Sequence, residues 1–212
     1  MNCIKSKKTD LKSIVECHKS AFPDSLSTRL GSKFIYKMLE WYIVSERGVL
    51  FHTSSSKGEV IGYVGGIITL RDGMHGAVTS ISQYAFKTFV YSYFVKPWLL
   101  FHKENLKKYK IIIKNILTKI GIYNQKLKQK SREFQPFIGL VVIGVKQDSQ
   151  GIGLGTLLLT KFENFAKKNQ AVVKITLSVN PKNINAIKSY KKNEWKISDF
   201  SKNSINMFKF IK

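Results

Sequence analysis

The sequence has few cysteines, and that shortage argues against two classes of protein. Its 212 residues include only Cys3 and Cys17 as cysteines, which form neither a C-x-x-C pair nor a zinc-like spacing with histidine. Two cysteines are also too few for a disulfide framework. The first ten residues lack the apolar core of a signal peptide. We therefore expect a cytoplasmic protein without a bound metal.

A long apolar run is missing as well. In the most aromatic stretch only eight residues separate Lys87 from Lys96, whereas a helix needs ~20 apolar residues to cross a bilayer. The apolar content of 43% is instead normal for a chain that buries a core. The length suits a single domain that spans residues 1–212.

Acidic residues are scarce: 13 of them oppose 36 lysines and arginines, so the net charge is +23. Such a chain attracts polyanions, namely nucleic acid, an anionic membrane or a phosphorylated small molecule. Specific base readout favours arginine, yet the arginines are only Arg29, Arg47, Arg71 and Arg132. Nucleic acid is therefore not the expected partner. Peripheral contact with an anionic membrane stays open, as does a lysine-rich surface that is merely solvated.

The N-terminal third has the patterns of two helices and a hairpin. A first short strand near Ile4 precedes a helix whose apolar residues recur from Leu11 to Phe22, with Asp10 as its N-cap. A second helical stripe lies within residues 25–43, and Pro23 separates the two helices. Residues 48–70 then resemble a hairpin that turns at Ser54–Gly58.

Residues 76–132 differ in composition from the rest of the chain. Their first half is rich in aromatic residues and their second half in lysine, and Pro97 should break any helix that reaches it. We predict a basic, aromatic, helical insertion between the third and fourth strands. It is expected to fold against or over the acceptor side of the site.

The C-terminal half has the alternation of an α/β protein. Phe137–Val145 is apolar on both faces, which predicts a central strand. The glycine turn "QGIGLG" follows at residues 150–155, and then an amphipathic helix. After it come an alternating strand at 173–179, a helix at Asn183–Lys192 and a final strand, "INMFKFIK".

Glycines between a strand and a helix usually hold a phosphate, and three known motifs place glycines there. The Walker pattern requires G-x-x-x-x-G-K-[ST], and no lysine follows Gly155. The dinucleotide pattern requires a third glycine where Thr156 stands, and an acid in the later strand that is absent. The pattern [QR]-x-x-G-x-[GA] is matched by Gln150, Gly153 and Gly155.

That last pattern is the acetyl-CoA signature, and here the sequence resembles the GNAT superfamily of N-acetyltransferases. A second segment agrees, because Asn183, Ala186 and Tyr190 match the family's N-x-x-A-x-x-x-Y spacing. The resemblance implies a mixed α/β fold with a mostly antiparallel central sheet flanked by helices. Successive backbone N–H groups at a helix N-terminus would hold the pyrophosphate of the coenzyme.

The resemblance also implies a set of site residues. Tyr190 would protonate the leaving thiolate, and the side chain of Asn183 would help to position the coenzyme. Backbone groups of Ile143 and Val145 would bond the coenzyme arm. The expected coenzyme-binding residues are Ile143, Gly144, Val145, Gln150, Gly151, Ile152, Gly153, Leu154, Gly155 and Asn183. The co-substrate would be acetyl-CoA, with no metal.

The reaction would be direct attack of a primary amine on the thioester, which requires the amine to lose a proton first. Many relatives place a glutamate near the fourth strand, but "FIGLVVIGV" contains no acid. The candidates for the base are therefore Glu40, Asp24, His18 and His75.

The acceptor stays open at this point. The hydroxyl-rich segment "AFPDSLSTRLGS" suggests an amino sugar of surface polysaccharide synthesis, linked to a nucleotide or a lipid. An amine of a protein or a polyamine is the alternative, as is a non-catalytic basic binding protein on the same fold. A homodimer is also compatible with the sequence.

Overall fold

The computed structural model describes residues 2–72, 74, 76–102, 104–105, 134–201 and 203–211. These residues form one sheet of seven strands in the order β1-β2-β3-β4-β5-β7-β6. The strands are β1 Cys3–Lys5, β2 Gly48–Ser54, β3 Val60–Thr69, β4 Phe137–Val145, β5 Lys174–Val179, β6 Lys196–Phe200 and β7 Ile205–Phe210. All neighbouring pairs in it are antiparallel except β4 and β5, which run parallel.

Helices cover both faces of this sheet. They are α1 Leu11–Ala21, α2 Leu26–Leu30, α3 Ser32–Val44, α4 Ala77–Tyr84, α5 Phe86–Val95, α6 Leu154–Lys168 and α7 Ile184–Lys192. Short 3₁₀ helices lie at Lys8–Asp10, Pro97–Phe101 and Gln147–Ser149. The mixed, mostly antiparallel sheet with flanking helices confirms the expected fold class.

The core has two layers because successive strand residues point to opposite faces of the sheet. Leu50 and Tyr63 pack with α1 and α3, whereas Phe51 and Val64 pack with α6. Phe162 on α6 is fully buried, and burying a side chain of that size stabilises the fold by roughly 1.5–3 kcal/mol.

The second helix expected from the sequence is interrupted. Gly31 has φ +105° and separates α2 from α3, a backbone region that favours glycine. Its amide donates to the carbonyls of Ser27 and Thr28, which ends α2. The apolar stripe gave no sign of this break, because buried Leu30 and Ile35 continue it on both sides.

The sequence pattern also missed β6. Strand β6 pairs antiparallel with β7, so the chain ends in a hairpin instead of one strand. All five residues of β6 are exposed, and a strand without an inward face shows no apolar alternation.

The described part of the insertion is helical, as expected. Helix α5 ends at Val95, and Pro97 opens the following 3₁₀ helix. The ring of Phe89 lies 5.9 Å from that of Phe34 on α3, and Leu99 packs with α2. The insertion therefore joins the body of the protein beside the loop between α1 and α2. The rest of it, residue 103 and residues 106–132, lies outside the described residues.

Strands β4 and β5 separate halfway along their length. They pair from Phe137 opposite Lys174 to Leu140 opposite Leu177, and no further. At this point β4 also shifts register against β3, since Leu140 and Val142 face adjacent residues of β3. Val141 is thus the extra residue of a β-bulge, which bends the strand locally. The bulge and the separation open a gap between β4 and β5.

Candidate active site

The backbone of β4 lines this gap. The amide of Lys146 donates to the carbonyl of Ile61 on β3, 2.9 Å away. Because backbone groups alternate sides along a strand, Ile143 and Val145 turn theirs toward the gap. Gln150 fits this direction, since its Nε2 donates to the carbonyl of Val145 over 3.1 Å.

The glycine turn closes one end of the gap. Gly151 and Gly153 have φ of +84° and +88°, values that glycine adopts without strain. A Cβ built at Gly151, Gly153 or Gly155 would meet no protein atom within 4 Å. The turn leads directly into the N-terminus of α6, whose partial positive charge suits a pyrophosphate.

A cavity of about 500 Å³ lies against this turn. It is lined by Ile143, Val145, Ser149, Gln150, Gly151, Gly153, Leu154, Gly155, Thr156, Leu159, Asn183, Asn185, Ala186, Ser189 and Tyr190. We call it the coenzyme cavity. It brings together most of the residues that the sequence assigned to the coenzyme and to the thiolate.

Two of the assigned residues lie elsewhere. Ile152 is 64% exposed and does not line the cavity. Gly144 faces the opposite side of the sheet, because a Cβ built there would lie 2.8 Å from the ring of Tyr63 and 2.9 Å from that of Phe22. Gly144 therefore lets α1 approach β4.

A second cavity, of about 530 Å³, meets the first at Ile143, Asn183 and Tyr190. Its walls come from the loop between α1 and α2, from α3, from the insertion and from the ends of β4 and β5. The apolar part of the wall comprises Phe22, Leu26, Leu30, Phe34, Met38, Ile81, Phe89, Leu140, Val141, Val142, Ile143 and Val179. We call it the acceptor cavity.

Tyr190 lies where the two cavities join. Its ring is 7% exposed and packs against Trp195, with 5.9 Å between the ring centroids. Burial raises the pKa of the hydroxyl to about 12, because a phenolate is poorly solvated there. The hydroxyl is therefore protonated at neutral pH and can donate a proton.

Asn183 caps α7. Its Oδ1 accepts from the amide of Ala186, 3.2 Å away, as Asn commonly does at an N-cap. This bond fixes the side chain beside both cavities.

His18 also reaches the acceptor cavity. Its Nδ1 bonds the hydroxyl of Tyr63, and its Nε2 lies 2.8 Å from the Oγ of Ser27. Burial lowers the pKa of the imidazole to about 4. A residue on the apolar stripe of α1 thus forms a neutral polar bridge from the core to the cavity wall.

The other candidates for the base are positioned differently. The carboxylate of Glu40 is bonded by Lys37 at 2.6 Å and by Tyr84 at 2.9 Å, and Glu40 does not line the acceptor cavity. Asp24 is paired with Arg29 at 2.9 Å and is also absent from that lining. His75 lies outside the described residues.

One acid in the acceptor cavity is not among the residues expected from the sequence. Glu104, from the insertion, lines the acceptor cavity and accepts a hydrogen bond from the amide of Leu26, 2.9 Å away. These two residues are 78 positions apart, so no local motif indicates the contact.

The gap between β4 and β5 opens onto the glycine turn at one end and onto the acceptor cavity at the other. This is the layout of an acyltransferase that uses a coenzyme A thioester. Residues 120–195 match the model of the acetyltransferase (GNAT) family. This stretch is similar to the acetyltransferases of that family, and solved structures of the same fold hold acetyl-CoA or coenzyme A.

Solved structures agree in fold. NAA60 from Arabidopsis thaliana, in complex with acetyl-CoA, superposes with a TM-score of 0.57 at 13% identity and covers 99% of this chain and 98% of its own. PaiA N-acetyltransferase from Thermoplasma acidophilum, in complex with coenzyme A, has a TM-score of 0.54 at 12% identity, over 99% of both chains.

The ribosomal-protein-S18-alanine N-acetyltransferase from Escherichia coli has a TM-score of 0.54 at 15% identity, over 99% of this chain and 93% of its own. At such identities the likeness shows a shared fold. No curated protein matches the sequence significantly.

The described residues contain no group of three His, Cys, Asp or Glu side chains that could hold a metal ion. Nor is any helix in this part of the chain long and apolar enough to cross a membrane.

Proposed function

We propose that acetyl-CoA binds with its pyrophosphate on the glycine turn and its thioester in the gap between β4 and β5. The acceptor amine enters from the acceptor cavity and attacks the thioester carbon. The new C–N bond replaces the C–S bond, and Tyr190 gives its proton to the leaving thiolate. The nitrogen loses one proton as the amide forms, and that proton returns to Tyr190 through water. A single observation carries this proposal: the two cavities meet at Tyr190.

The donors that stabilise the reaction are backbone groups. The thioester oxygen gains negative charge as the amine attacks, and a fixed N–H on the gap side of β4 stabilises that charge. Ile143 supplies the nearest such group, because it borders both cavities. Asn183 holds the start of α7 in place beside the coenzyme arm.

The acceptor amine should have a low pKa. Strand β4 carries no acid, so the chain has no strong base on the strand that faces the thioester. An α-amino group, with a pKa of about 7.7–8.0, loses its proton far more readily than a lysine amine at about 10.4. A polyamine is further disfavoured by the net charge of +23.

The walls of the acceptor cavity favour a peptide α-amine with an apolar first side chain. The hydroxyls that suggested an amino sugar are engaged in holding the loop: Ser25 and Thr28 both donate to the carbonyl of Phe22, at 3.0 and 2.8 Å. Phe22, Phe34 and Met38 leave an apolar surface in the same cavity.

An amino sugar is the second candidate. Ser178, Asn180 and Asn183 form a polar edge of the acceptor cavity, and polar groups of this kind bond hydroxyls. The positive charge of the chain would attract a nucleotide- or lipid-linked diphosphate.

An acceptor panel tests the proposal, with release of the coenzyme A thiol as the measurement. We expect acetylation of a peptide that begins with Leu, and slower acetylation of a matched peptide that begins with Asp. Spermidine should be a poor acceptor. A nucleotide-linked amino sugar as the best acceptor would replace the peptide proposal. Absence of thiol release with every amine, despite acetyl-CoA binding, would contradict the proposed function.

We further propose that the outer face of α5 contacts an anionic bilayer. Helix α5 carries apolar residues on its outer as well as its inner side, and its inner side packs on α3. On the outer side Phe94 is 85% exposed, and Trp98 just beyond the helix is 64% exposed. No acidic residue lies between Asp72 and Glu104.

Charge and aromatic residues together fit an interfacial helix. Each lysine near an anionic surface contributes about 1 kcal/mol, and Lys87 on α5 is exposed. The nine lysines Lys103, Lys107, Lys108, Lys110, Lys114, Lys119, Lys126, Lys128 and Lys130 follow in the sequence. Attachment of this kind is weak and reversible.

Co-sedimentation with phosphatidylglycerol vesicles and with phosphatidylcholine vesicles tests this contact. We expect binding to the anionic vesicles at low salt only, and its loss in a Phe94→Ser, Trp98→Ser variant. Phe200→Ser is the matched control, since Phe200 on β6 is also exposed at 66%. No binding at low salt removes the membrane proposal. A dimer that the double variant dissociates would assign the face to a second copy of the chain.

A further inference from the structure

The insertion places one carboxylate in the acceptor cavity. Glu104 follows the 3₁₀ helix Pro97–Phe101, and the neighbouring residue Asn105 holds this part of the backbone in place. Asn105 is buried, and its Nδ2 donates to the carbonyl of Leu99, 2.7 Å away. The amide of Glu104 donates to Nδ1 of His102 over 3.3 Å. The position of Glu104 is therefore fixed by the insertion.

The side chain of Glu104 crosses to the other wall of the cavity. Its Oε1 accepts from the amide of Leu26, at the start of α2. No other described residue that lines the cavity carries a carboxylate. His18, the remaining group there that could carry a charge near neutral pH, is kept neutral by burial, which lowers its pKa to about 4.

The carboxylate of Glu104 lies within a strongly basic segment of the sequence. Glu104 is the sole acid between Asp72 and Glu133, in a chain with a net charge of +23. Such a field repels an ammonium group. An amine that is protonated in solution therefore needs a local anion to enter the acceptor cavity.

We propose that Glu104 recognises the ammonium group of the acceptor. This inference rests on the proposed function, and it applies equally to a peptide α-amine and to an amino sugar. The carboxylate offers a charge-assisted hydrogen bond, which is stronger than a neutral one. The insertion thereby selects a cationic amine, while the bond from the amide of Leu26 connects Glu104 to the start of α2.

Leucinamide is the probe, because it has one α-amine, one apolar side chain and no other charge. Its binding is measured by calorimetry on the full chain saturated with coenzyme A. We expect Glu104→Gln to weaken leucinamide binding about 10-fold or more. The substitution keeps an oxygen that can accept from the amide of Leu26, so the loop is preserved. Glu16→Gln, at an exposed acid on α1 that pairs with Lys19, is the control and should change nothing.

Two further measurements separate recognition of charge from a structural role. The hydroxyl analogue of leucinamide should bind the wild type and the Glu104→Gln variant equally. Leucinamide affinity in the wild type should fall as pH rises through about 8, where an α-amine loses its proton, and the variant should lose this dependence. Equal leucinamide affinity in both proteins, or none in the wild type, overturns the assignment.

The leucinamide measurement and the test of the proposed reaction can fail separately. Coenzyme A binding and thiol release in the acceptor panel report on the reaction itself. A variant that binds leucinamide as the wild type does, in an enzyme that acetylates a peptide, would contradict only the role of Glu104.

Discussion

The imidazole Nε2 of His18 lies 2.8 Å from the Oγ of Ser27, at the wall of the acceptor cavity. The other ring nitrogen bonds the hydroxyl of Tyr63, which is fully buried. A neutral imidazole satisfies both partners, with one nitrogen as donor and the other as acceptor. His18 thus connects α2, through Ser27, to Tyr63 in the core of the sheet.

This burial predicts a pH dependence of stability. The pKa of His18 is about 4 in the folded chain, against 6.5 for the ordinary residue. The unfolded chain therefore binds a proton first as pH falls, so stability is full above pH 6.5 and is lost as pH falls toward 4. The loss due to His18 is about 3 kcal/mol.

Urea unfolding between pH 4 and 7 measures this loss. We expect the His18→Gln variant to lose less stability than the wild type as pH falls, because the residue that binds a proton on unfolding is gone. His52→Gln is the control. Burial lowers the pKa of His52 as well, so this variant should lose only the part of the pH dependence that His52 causes. Parallel loss of stability in wild type and His18→Gln would show that His18 titrates normally in the folded chain.

Substitution at Gly153 should abolish coenzyme binding and leave the fold intact. Its φ of +88° makes any other residue strained, at a cost of roughly 1–2 kcal/mol. A Cβ there meets no protein atom within 4 Å and enters the coenzyme cavity. We expect Gly153→Val to unfold cooperatively and to show no acetyl-CoA binding by calorimetry.

The matched control is Gly58→Val. Gly58 has φ +79° and equally open surroundings, but it lies in the turn between β2 and β3. It should carry the same strain and bind acetyl-CoA normally. Unchanged affinity in a folded Gly153→Val protein would overturn the placement of the pyrophosphate.

Tyr190→Phe should reduce turnover and spare coenzyme binding. The ring still packs against Trp195, but the proton donor is gone, so we expect turnover to fall about 100-fold. Burial raises the pKa of Tyr190 to about 12, so the hydroxyl is still protonated at pH 9, and the wild-type rate should not decline up to there on its account. Steady-state kinetics and acetyl-CoA calorimetry check both points. Turnover within twofold of wild type would make Tyr190 a packing residue.

Two glycines of β4 should respond differently to alanine. A Cβ at Gly144 would lie 2.8 Å from the ring of Tyr63 and 3.2 Å from Cβ of Ala21, whereas one at Gly139 meets nothing closer than 3.5 Å. Overpacking typically costs 1–3 kcal/mol. We expect Gly144→Ala to lower the melting temperature clearly and Gly139→Ala to change it little. Equal melting temperatures would show that α1 moves away from β4 without cost.

The coenzyme half of the site is predictable from sequence because its motifs are local. Gln150, Gly153 and Gly155 lie in one turn, and Asn183 and Tyr190 lie in one short helix. Within one turn or one helix, the number of residues between two side chains sets the distance between them. The gap that joins the two segments also follows from the family pattern, although the bulge at Val141 has no mark in a uniformly apolar strand.

Other features left no local signal. Strand β6 forms because it completes a hairpin with β7, not because its residues alternate. Gly31 ends a helix within an unbroken apolar stripe. The strand and the helix break were both missed for the same reason. Apolar periodicity indicates which residues are buried, and pairing at a sheet edge or a left-handed residue does not alter that pattern.

The sequence by itself predicted the fold class, the acetyl-CoA signature and the position of the glycine turn, since these depend on residues close together in the chain. Tertiary structure alone decided the acceptor cavity. It brings His18 to Ser27 and, across 78 positions, Glu104 to Leu26. Contacts at such separation arise from packing of whole helices, and the pattern of a single segment specifies its own buried face but not its partner.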